Sequence, residues 1–383
     1  MPGLFDTFEV RSVALRNRIG VSPMCQYFAG PDGMPTDWHL VHLGSRAVGG
    51  AGLVMSEMTA ISPEGRTGPK DVGIWSDEHI APWRRITDFI RAHGAVPGMQ
   101  LGHAGRKAST YWDWHPTKAK SPLPESEGGW STLFAPSALP LRSFDATPVP
   151  LSEDQIQALV EAHSDAARRA LEAGFEWLEV HTAHGYLHAT FLSPFSNKRE
   201  DDWGGSFDNR CRFTIACIRA IRQVWPDDKP LAVRLSSTEW IDGGWQLEDT
   251  IALSERLLKE GVDLIDCSSG VGTAGGDFPR YPIAPGWQVP FAEAVRSKTG
   301  ALTAAVGQIS EPRQADMIIR NGQADMVLLA SAMLADPYWP FHASQSLGHH
   351  AGDGVTMPAP YGYVIQRNRP YQPEAKRGDR GKD

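Results

Sequence analysis

One unit recurs along the chain: a stretch with apolar residues at helical spacing, a glycine, then a short apolar run. Residues 154–173 stop at Gly174 and lead into the run 175–180. The same order is repeated by 83–93, Gly94 and 96–101; by 247–260, Gly261 and 262–267; and by 312–321, Gly322 and 324–329. Glycine suits the left-handed position that follows a helix. Ser152 with Gln155 has the spacing of a capping box at the start of one helix. Further runs at 19–22, 53–56, 231–234 and 302–305 bring the strands to eight. Eight strands alternating mostly with helices predict an α/β fold, a (β/α)8 TIM barrel. A doubly wound sheet would alternate in the same way, but the usual glycine-rich turn after its first strand is missing.

Two connections exceed ordinary loops. Residues 109–150 are rich in Pro, Ser and Trp and follow the third strand; 187–209 follow the fourth. Both fall at the C-terminal face, where barrel active sites are built, so both are expected to be lids. Residues 1–367 read as a single barrel domain with 109–150 as its lid insertion, and the polar stretch 368–383 as a disordered tail.

Composition narrows the partners. The 383 residues carry a net charge of −8 and 41% hydrophobic side chains. No long Lys/Arg run is present, which argues against nucleic acid or an anionic membrane as partner. The start lacks a basic region followed by an apolar one, so a cytoplasmic protein is expected. Cys25, Cys211, Cys217 and Cys267 are scattered, with no C-x-x-C pair, and read as free thiols.

Chemistry gathers at the expected strand ends. The run 175–180 is followed by His181-Thr182-Ala183-His184-Gly185-Tyr186. Two imidazoles can donate hydrogen bonds to one substrate oxygen, and a phenol beside them can supply a proton. The same three residues could equally be satisfied core side chains. Strand one leads to Cys25, strand three carries Gln100, and strand five carries Arg234. A buried arginine needs an anionic partner, whether a ligand or a structural salt bridge. Together these groups suit a flat heterocycle across the barrel mouth. Gln100 could read an edge with one donor and one acceptor, and the thiol could tune a redox-active ring. The stretch 270–275 fits G-x-G-x-x-G, but Pro279, Pro282 and Pro285 follow too closely for a helix, so no dinucleotide fold is inferred.

The motifs, taken in order, resemble the old yellow enzyme family, in particular its bacterial xenobiotic-reductase-like subgroup of FMN ene-reductases. They include Pro23-Met24-Cys25-Gln26-Tyr27, Gln100-Leu101-Gly102-His103-Ala104-Gly105-Arg106-Lys107, His184-Gly185-Tyr186-Leu187 and Phe191-Leu192-Ser193-Pro194. The resemblance implies FMN as cofactor, with NADPH or NADH as reductant. It also implies ping-pong reduction of activated C=C bonds in α,β-unsaturated carbonyls, nitroalkenes and other xenobiotics. Pro23, Met24, Cys25, Ala60, Gln100 and Arg234 would contact the flavin ring or its ribityl chain. Ser268, Gln288, Gly307, Gln308, Ala330 and Ser331 fall where the family holds the phosphate. His181 and His184 would bind the substrate oxygen, with Tyr186 as proton donor and Tyr27 and Ile74 lining the pocket. Arg367 would reach a neighbouring subunit's site in a homodimer or homotetramer, on an extended arm stiffened by Pro358 and Pro360.

One departure stands out. The family has Gly-Arg after the eighth strand, with the arginine on the phosphate; this chain has Ala330-Ser331. Backbone N–H groups and the Ser331 hydroxyl are then left for the phosphate. Two other functions remain open from sequence. His181-x-x-His184 could serve a metal-dependent barrel hydrolase or lyase, and the missing arginine leaves room for a non-catalytic flavin-binding protein.

Overall fold

A computed structural model of the chain describes residues 2–270, 281–349 and 354–365. Eight parallel strands close into a barrel: β1 (Ile19–Val21), β2 (Leu53–Ala60), β3 (Val96–Gly102), β4 (Trp177–Thr182), β5 (Leu231–Ser236), β6 (Leu264–Ser268), β7 (Leu302–Ala305) and β8 (Met326–Leu329). Each strand pairs with the next in sequence. β8 closes on β1 with Val327 opposite Ile19 and Leu329 opposite Val21. Outside lie α1 (Asp37–Val48), α2 (Ile80–Ala92), α3 (Glu153–Glu172), α4 (Phe207–Arg222), α5 (Leu247–Lys259), α6 (Val289–Thr299), α7 (Pro312–Arg320) and α8 (Trp339–Ser346). Every β/α crossover in the barrel fold is therefore present.

Local chemistry sets these boundaries. Ser152 Oγ accepts from the Gln155 N–H at 3.2 Å, and Gln155 Oε1 accepts from the Ser152 N–H at 2.9 Å, which completes the expected capping box. Gly174 and Gly261 end their helices at φ 86° and 89°, a region costly for any residue with a Cβ. The helix expected from residue 83 begins earlier, at Ile80, because Pro82 is tolerated in a first turn that has no N–H bonds to lose.

The sequence reading did not identify the N-terminal hairpin, Phe8–Val10 paired antiparallel with Val13–Leu15. Phe8, Val10, Val13 and Leu15 pack with Leu53, Trp177, Leu264 and Met326 in one apolar cluster inside the barrel. This plug fills the N-terminal end. The inward polar side chains Gln100, Glu179, His181 and Arg234 lie beyond it, towards the end where the β→α connections lie.

The 109–150 insertion sits over that end. Trp114 Nε1 donates to the Gln26 carbonyl at 3.2 Å, and the Lys70 ammonium lies 3.8 Å from the centre of the Trp112 ring. The segment 187–209 differs at its start from the lid expected of it. It opens with a short helix, Leu187–Leu192, whose six residues are all buried. Leu187, Phe191 and Leu192 belong to the main apolar cluster, so this part packs as core.

The C-terminal arm also differs from expectation: Ala359–Ile365 is helical. The Pro358 carbonyl accepts from the N–H groups of Tyr361 and Gly362. Prolines at a helix start lose no hydrogen bond, so Pro358 and Pro360 open this helix instead of extending the arm. Arg367, the tail 368–383 and most of the 270–275 loop lie outside the described residues. Among the described residues no helix is long and apolar enough to cross a membrane.

The plug's contribution can be measured. Leu15 is fully buried in the barrel cluster. Leu15→Ala is expected to cost about 2–5 kcal/mol in urea unfolding of the flavin-loaded protein. A loss below about 1 kcal/mol would mean the hairpin is not part of the core.

Candidate active site

Strand β4 carries the site's centre. Glu179 and His181, two residues apart, both point into the barrel. The parallel register sets Glu179 beside Gln100 of β3 and His181 beside Arg234 of β5. The chain then turns sharply at His184, which has φ 58°, and this turn brings three rings together. The ring centres of His181 and His184 are 5.0 Å apart, and those of His181 and Tyr186 are 4.8 Å apart.

Beneath these rings lies a buried polar layer. Arg234 Nε is 3.2 Å from Asp266 Oδ2, and Arg234 Nη1 donates to Ser22 Oγ at 3.1 Å. Gln100 Nε2 donates to Glu179 Oε1 at 2.7 Å. Burial raises the carboxyl pKa of Glu179, and Asp266 raises it further; burial likewise raises Asp266, opposed by Arg234. The structural salt bridge anticipated for Arg234 is therefore present, and the same guanidinium stands beside His181.

The two histidines are not equivalent. His184 Nε2 lies 2.8 Å from Ser268 Oγ, and the His184 N–H donates to Ser236 Oγ at 2.9 Å. His181 Nδ1 is buried and has no hydrogen-bond partner. A buried polar atom without a partner is costly, which is the mark of a place kept for a ligand. Burial holds both imidazoles well below their usual pKa; His184, Arg234 and Lys107 add to this for His181. Both are neutral at neutral pH, so each offers one N–H. Burial pushes the Tyr186 phenol well up, with Cys25, Asp71 and Asp113 adding to it, so the proton stays on the oxygen.

Cys25 sits in the loop after β1. Glu57 of β2 pins that loop: its carboxylate accepts from the Gln26 N–H at 2.9 Å and pairs with His39 at 3.2 Å. Cys25 lies within hydrogen-bonding reach of Tyr186. Burial raises the thiol's pKa well above normal, so it is held as a neutral thiol. Tyr27, at φ 53°, donates to Asp113 of the insertion at 3.0 Å. Ile74 is buried, and its N–H donates to the Ala60 carbonyl at 3.0 Å.

The residues expected at the phosphate end divide. Ser268 sits between His184 and Gln288: with its one hydroxyl proton on His184 Nε2 the imidazole keeps its N–H on Nδ1, while Gln288 Oε1 lies 3.3 Å from Ser268 Oγ and accepts from Ser269 Oγ at 2.8 Å. Its hydroxyl thus serves the histidine side as well. Gly307 has φ 106°, and a Cβ there would come within 2.9 Å of Gln288 Nε2. The backbone is bare where an anion would approach it. Gln308 follows at φ 50°, and Ala330 precedes the short helix Ser331–Ala335. Ser331 is exposed.

These residues fit FMN. The barrel mouth presents an unpartnered imidazole nitrogen, a guanidinium and an amide on one side, and a glycine-opened backbone on the other. Three positions were missed or left unassigned by sequence reasoning. Asp71 is fully buried, with one carboxylate oxygen unpartnered and a pKa raised by burial to about 7. Glu57 anchors the Cys25 loop. Lys107 was quoted within a motif but given no role; its ammonium donates to the His184 carbonyl at 2.5 Å and lies 5.8 Å from the centre of the Tyr186 ring. A lone acidic or basic residue in a mixed segment gives no sequence signal of such burial.

Fold and site together define a flavin-binding barrel oxidoreductase. Residues 3–350 match the NADH:flavin oxidoreductase / NADH oxidase family. An NADPH dehydrogenase of Geobacillus sp. (strain WCH70) is 42% identical over 346 residues, covering 90% of this chain and 94% of that protein. The structure of morphinone reductase in complex with tetrahydroNAD superposes with TM-score 0.75 at 26% identity, covering 95% of this chain and 97% of that one. A 2-naphthoyl-CoA reductase complex matches with TM-score 0.79 at 25% identity over 91% of this chain and 52% of that chain, so this chain spans about half its length. The chain belongs to the NADH:flavin oxidoreductase family, the old yellow enzymes, and is an FMN-dependent NAD(P)H oxidoreductase.

Lys107 yields a pH prediction. Burial, then Arg106, Lys120 and Arg142, lowers its pKa from 10.5 to about 7. Between those values the unfolded chain holds a proton that the folded chain lacks, so this group makes stability rise with pH from about 7 towards 10.5. The Lys107→Met variant should lose that slope, about one proton's worth, in urea unfolding followed from pH 7 to 9.5. Identical slopes would show that Lys107 stays charged in the fold.

Proposed function

We propose that the protein reduces activated C=C bonds of α,β-unsaturated carbonyls and nitroalkenes with NAD(P)H in a ping-pong cycle. The observation that carries this reading is the ring cluster at the end of β4: two neutral imidazoles beside a phenol that keeps its proton. FMN, when bound, supplies hydride exchange between the nicotinamide and the alkene. Cys25, Gln100 and Arg234 would hold its ring, and Gly307, Gln308, Ala330 and Ser331 its phosphate.

The chain's own groups do the rest. His181 and His184 each donate one N–H to the substrate's carbonyl or nitro oxygen, and this withdraws electron density from the β-carbon. As negative charge develops on that oxygen these bonds strengthen, which favours the transition state over bound substrate. Tyr186 then gives its hydroxyl proton to the α-carbon. Its raised pKa ensures that the proton is present at working pH. The metal-hydrolase reading has less support, because among the described residues no third ligating side chain groups with His181 and His184.

Single-turnover kinetics separate the roles. Tyr186→Phe should slow alkene reduction about 100-fold or more while leaving reduction of the flavin by NADPH unchanged. His181→Ala and His184→Ala should each weaken phenol binding by roughly 1.5–3 kcal/mol. Wild-type alkene rates in Tyr186→Phe, or unchanged phenol titrations in both histidine variants, would remove the ring cluster from the mechanism.

The partner reading is a homodimer in which Arg367 reaches the neighbouring subunit's site. Exposed Tyr361, Tyr363 and Val364 on the C-terminal helix support it, since they offer apolar surface for a partner to cover. Truncation before Tyr361 should weaken the dimer and raise KM for enones, with FMN retained. A wild-type monomer by light scattering, with KM unaffected by truncation, would contradict it.

A further inference from the structure

Behind the active-site strand, three helices bring a second set of ligating side chains together. α3 supplies His163, the short helix Leu187–Leu192 supplies His188, and α4 supplies Cys217. All three are fully buried. The two imidazole Nε2 atoms are 3.0 Å apart, and one ring nitrogen of each histidine and the Cys217 sulfur lie within 4.8 Å of one another. We propose that this cluster is a binding site for a monovalent soft cation, Cu+, held by His163 Nε2, His188 Nε2 and the Cys217 thiolate.

The outer contacts already suit ligation. His163 Nδ1 lies 2.7 Å from the Leu159 carbonyl and must donate to it, so Nε2 keeps its lone pair free. His188 Nδ1 lies 3.1 Å from Thr214 Oγ1, a hydroxyl that can either donate or accept. Metal-binding histidines are held in this way by a partner on the other ring nitrogen. Without a metal, the imidazoles must share one hydrogen bond, with His188 Nε2–H donating to His163 Nε2. That satisfies the rings but gives the thiol no part. Phe213 packs against both imidazoles, at 4.6 Å from His188 and 6.1 Å from His163 between ring centres. In such surroundings apolar side chains would fill the space at no desolvation cost.

Ligand geometry and charge select the ion. Bonds near 2.0 Å to nitrogen and near 2.3 Å to sulfur place the ligating atoms of a three-coordinate site roughly 3.5 Å apart. The present atoms bracket that spacing, and closing the site needs only a modest side-chain movement. Thiolate and imidazole together suit soft or borderline ions. The donor set itself is two imidazoles and one thiol, with no carboxylate in it. One thiolate therefore balances one positive charge. Cu+ gives a neutral site, whereas Zn2+ would leave a net charge in an apolar interior and lack a fourth ligand. Binding is simple exchange: Cu+ enters, the Cys217 thiol proton leaves to solvent, and His188 moves its proton from Nε2 to Nδ1 to donate to Thr214. No electron is transferred.

The position gives the site a role. His188 follows His184 by four residues and Tyr186 by two. A metal there would tie the turn that carries the ring cluster to α3 and α4.

The test uses the full-length, FMN-loaded protein in a Cys25→Ala background, which removes the thiol at the flavin site. Anaerobic titration with Cu+ buffered by bicinchoninate should give one copper per chain. X-ray absorption should report one sulfur and two nitrogen neighbours, and Cu+ should raise Tm. His188→Leu and Cys217→Ser should each abolish binding and the Tm shift while the flavin stays bound. Copper retention by both variants at the parent level, no retention by the parent, or preference for Zn2+ over Cu+ would overturn the proposal. If a variant loses its flavin, the parent's absorption spectrum decides alone, and a copper shell without sulfur would overturn it.

Discussion

A guanidinium held inside the barrel acts, together with burial, on the protonation of the groups around it. Arg234 projects from β5 between Asp266 of β6 and His181 of β4, almost wholly shielded from water. Its positive charge opposes the rise in the Asp266 and Glu179 pKa values that burial imposes. Burial presses the pKa of His181 and His184 down, and the same charge adds to it. Burial keeps the two imidazoles neutral and this one cation adds to it, while the same cation partly offsets the burial that raises the two carboxyl groups. The uncharged imidazoles keep N–H donors for a substrate oxygen without pairing with an anion of their own. Removing Arg234 would leave buried carboxylates without a counter-charge, which is strongly destabilising.

The arrangement follows from the barrel's register. Alternate residues of a strand point inward, so Glu179 and His181 reach the interior together, with Arg234 beside His181 and Gln100 beside Glu179. The hairpin plug closes the far end with apolar side chains. Ligands are left one approach, from the C-terminal face, past the 109–150 insertion. Tyr27 and Asp113 join that insertion to the loop carrying Cys25.

Much of this was legible in the sequence because it is local or periodic. All eight strands and the helix-ending glycines followed from spacing, and His181, His184 and Tyr186 drew notice as polar tips on an apolar run. What escaped depends on contacts between distant segments. The hairpin 8–15 is too short to stand out until the barrel interior covers it. The Ser268–His184 contact joins two strands that are not neighbours, and propensity says nothing of it. Glu57, Asp71 and Lys107 look like ordinary surface charges until their burial is known. The prolines at 358 and 360 suit an extended chain and a helix start equally well. His163, His188 and Cys217 lie on three separate helices, far apart in sequence, and only the fold brings them together.

In the proposed cycle a hydride goes from NAD(P)H by way of FMN to an activated alkene in two separable halves. The most direct test is the visible spectrum of the purified protein, followed anaerobically. Flavin bands should be present, should bleach on addition of stoichiometric NADPH, and should return in full when 2-cyclohexenone is added without oxygen. A bleached flavin that stays reduced in the presence of the enone would contradict the assignment, as would a protein that carries no flavin bands and gains none on incubation with FMN.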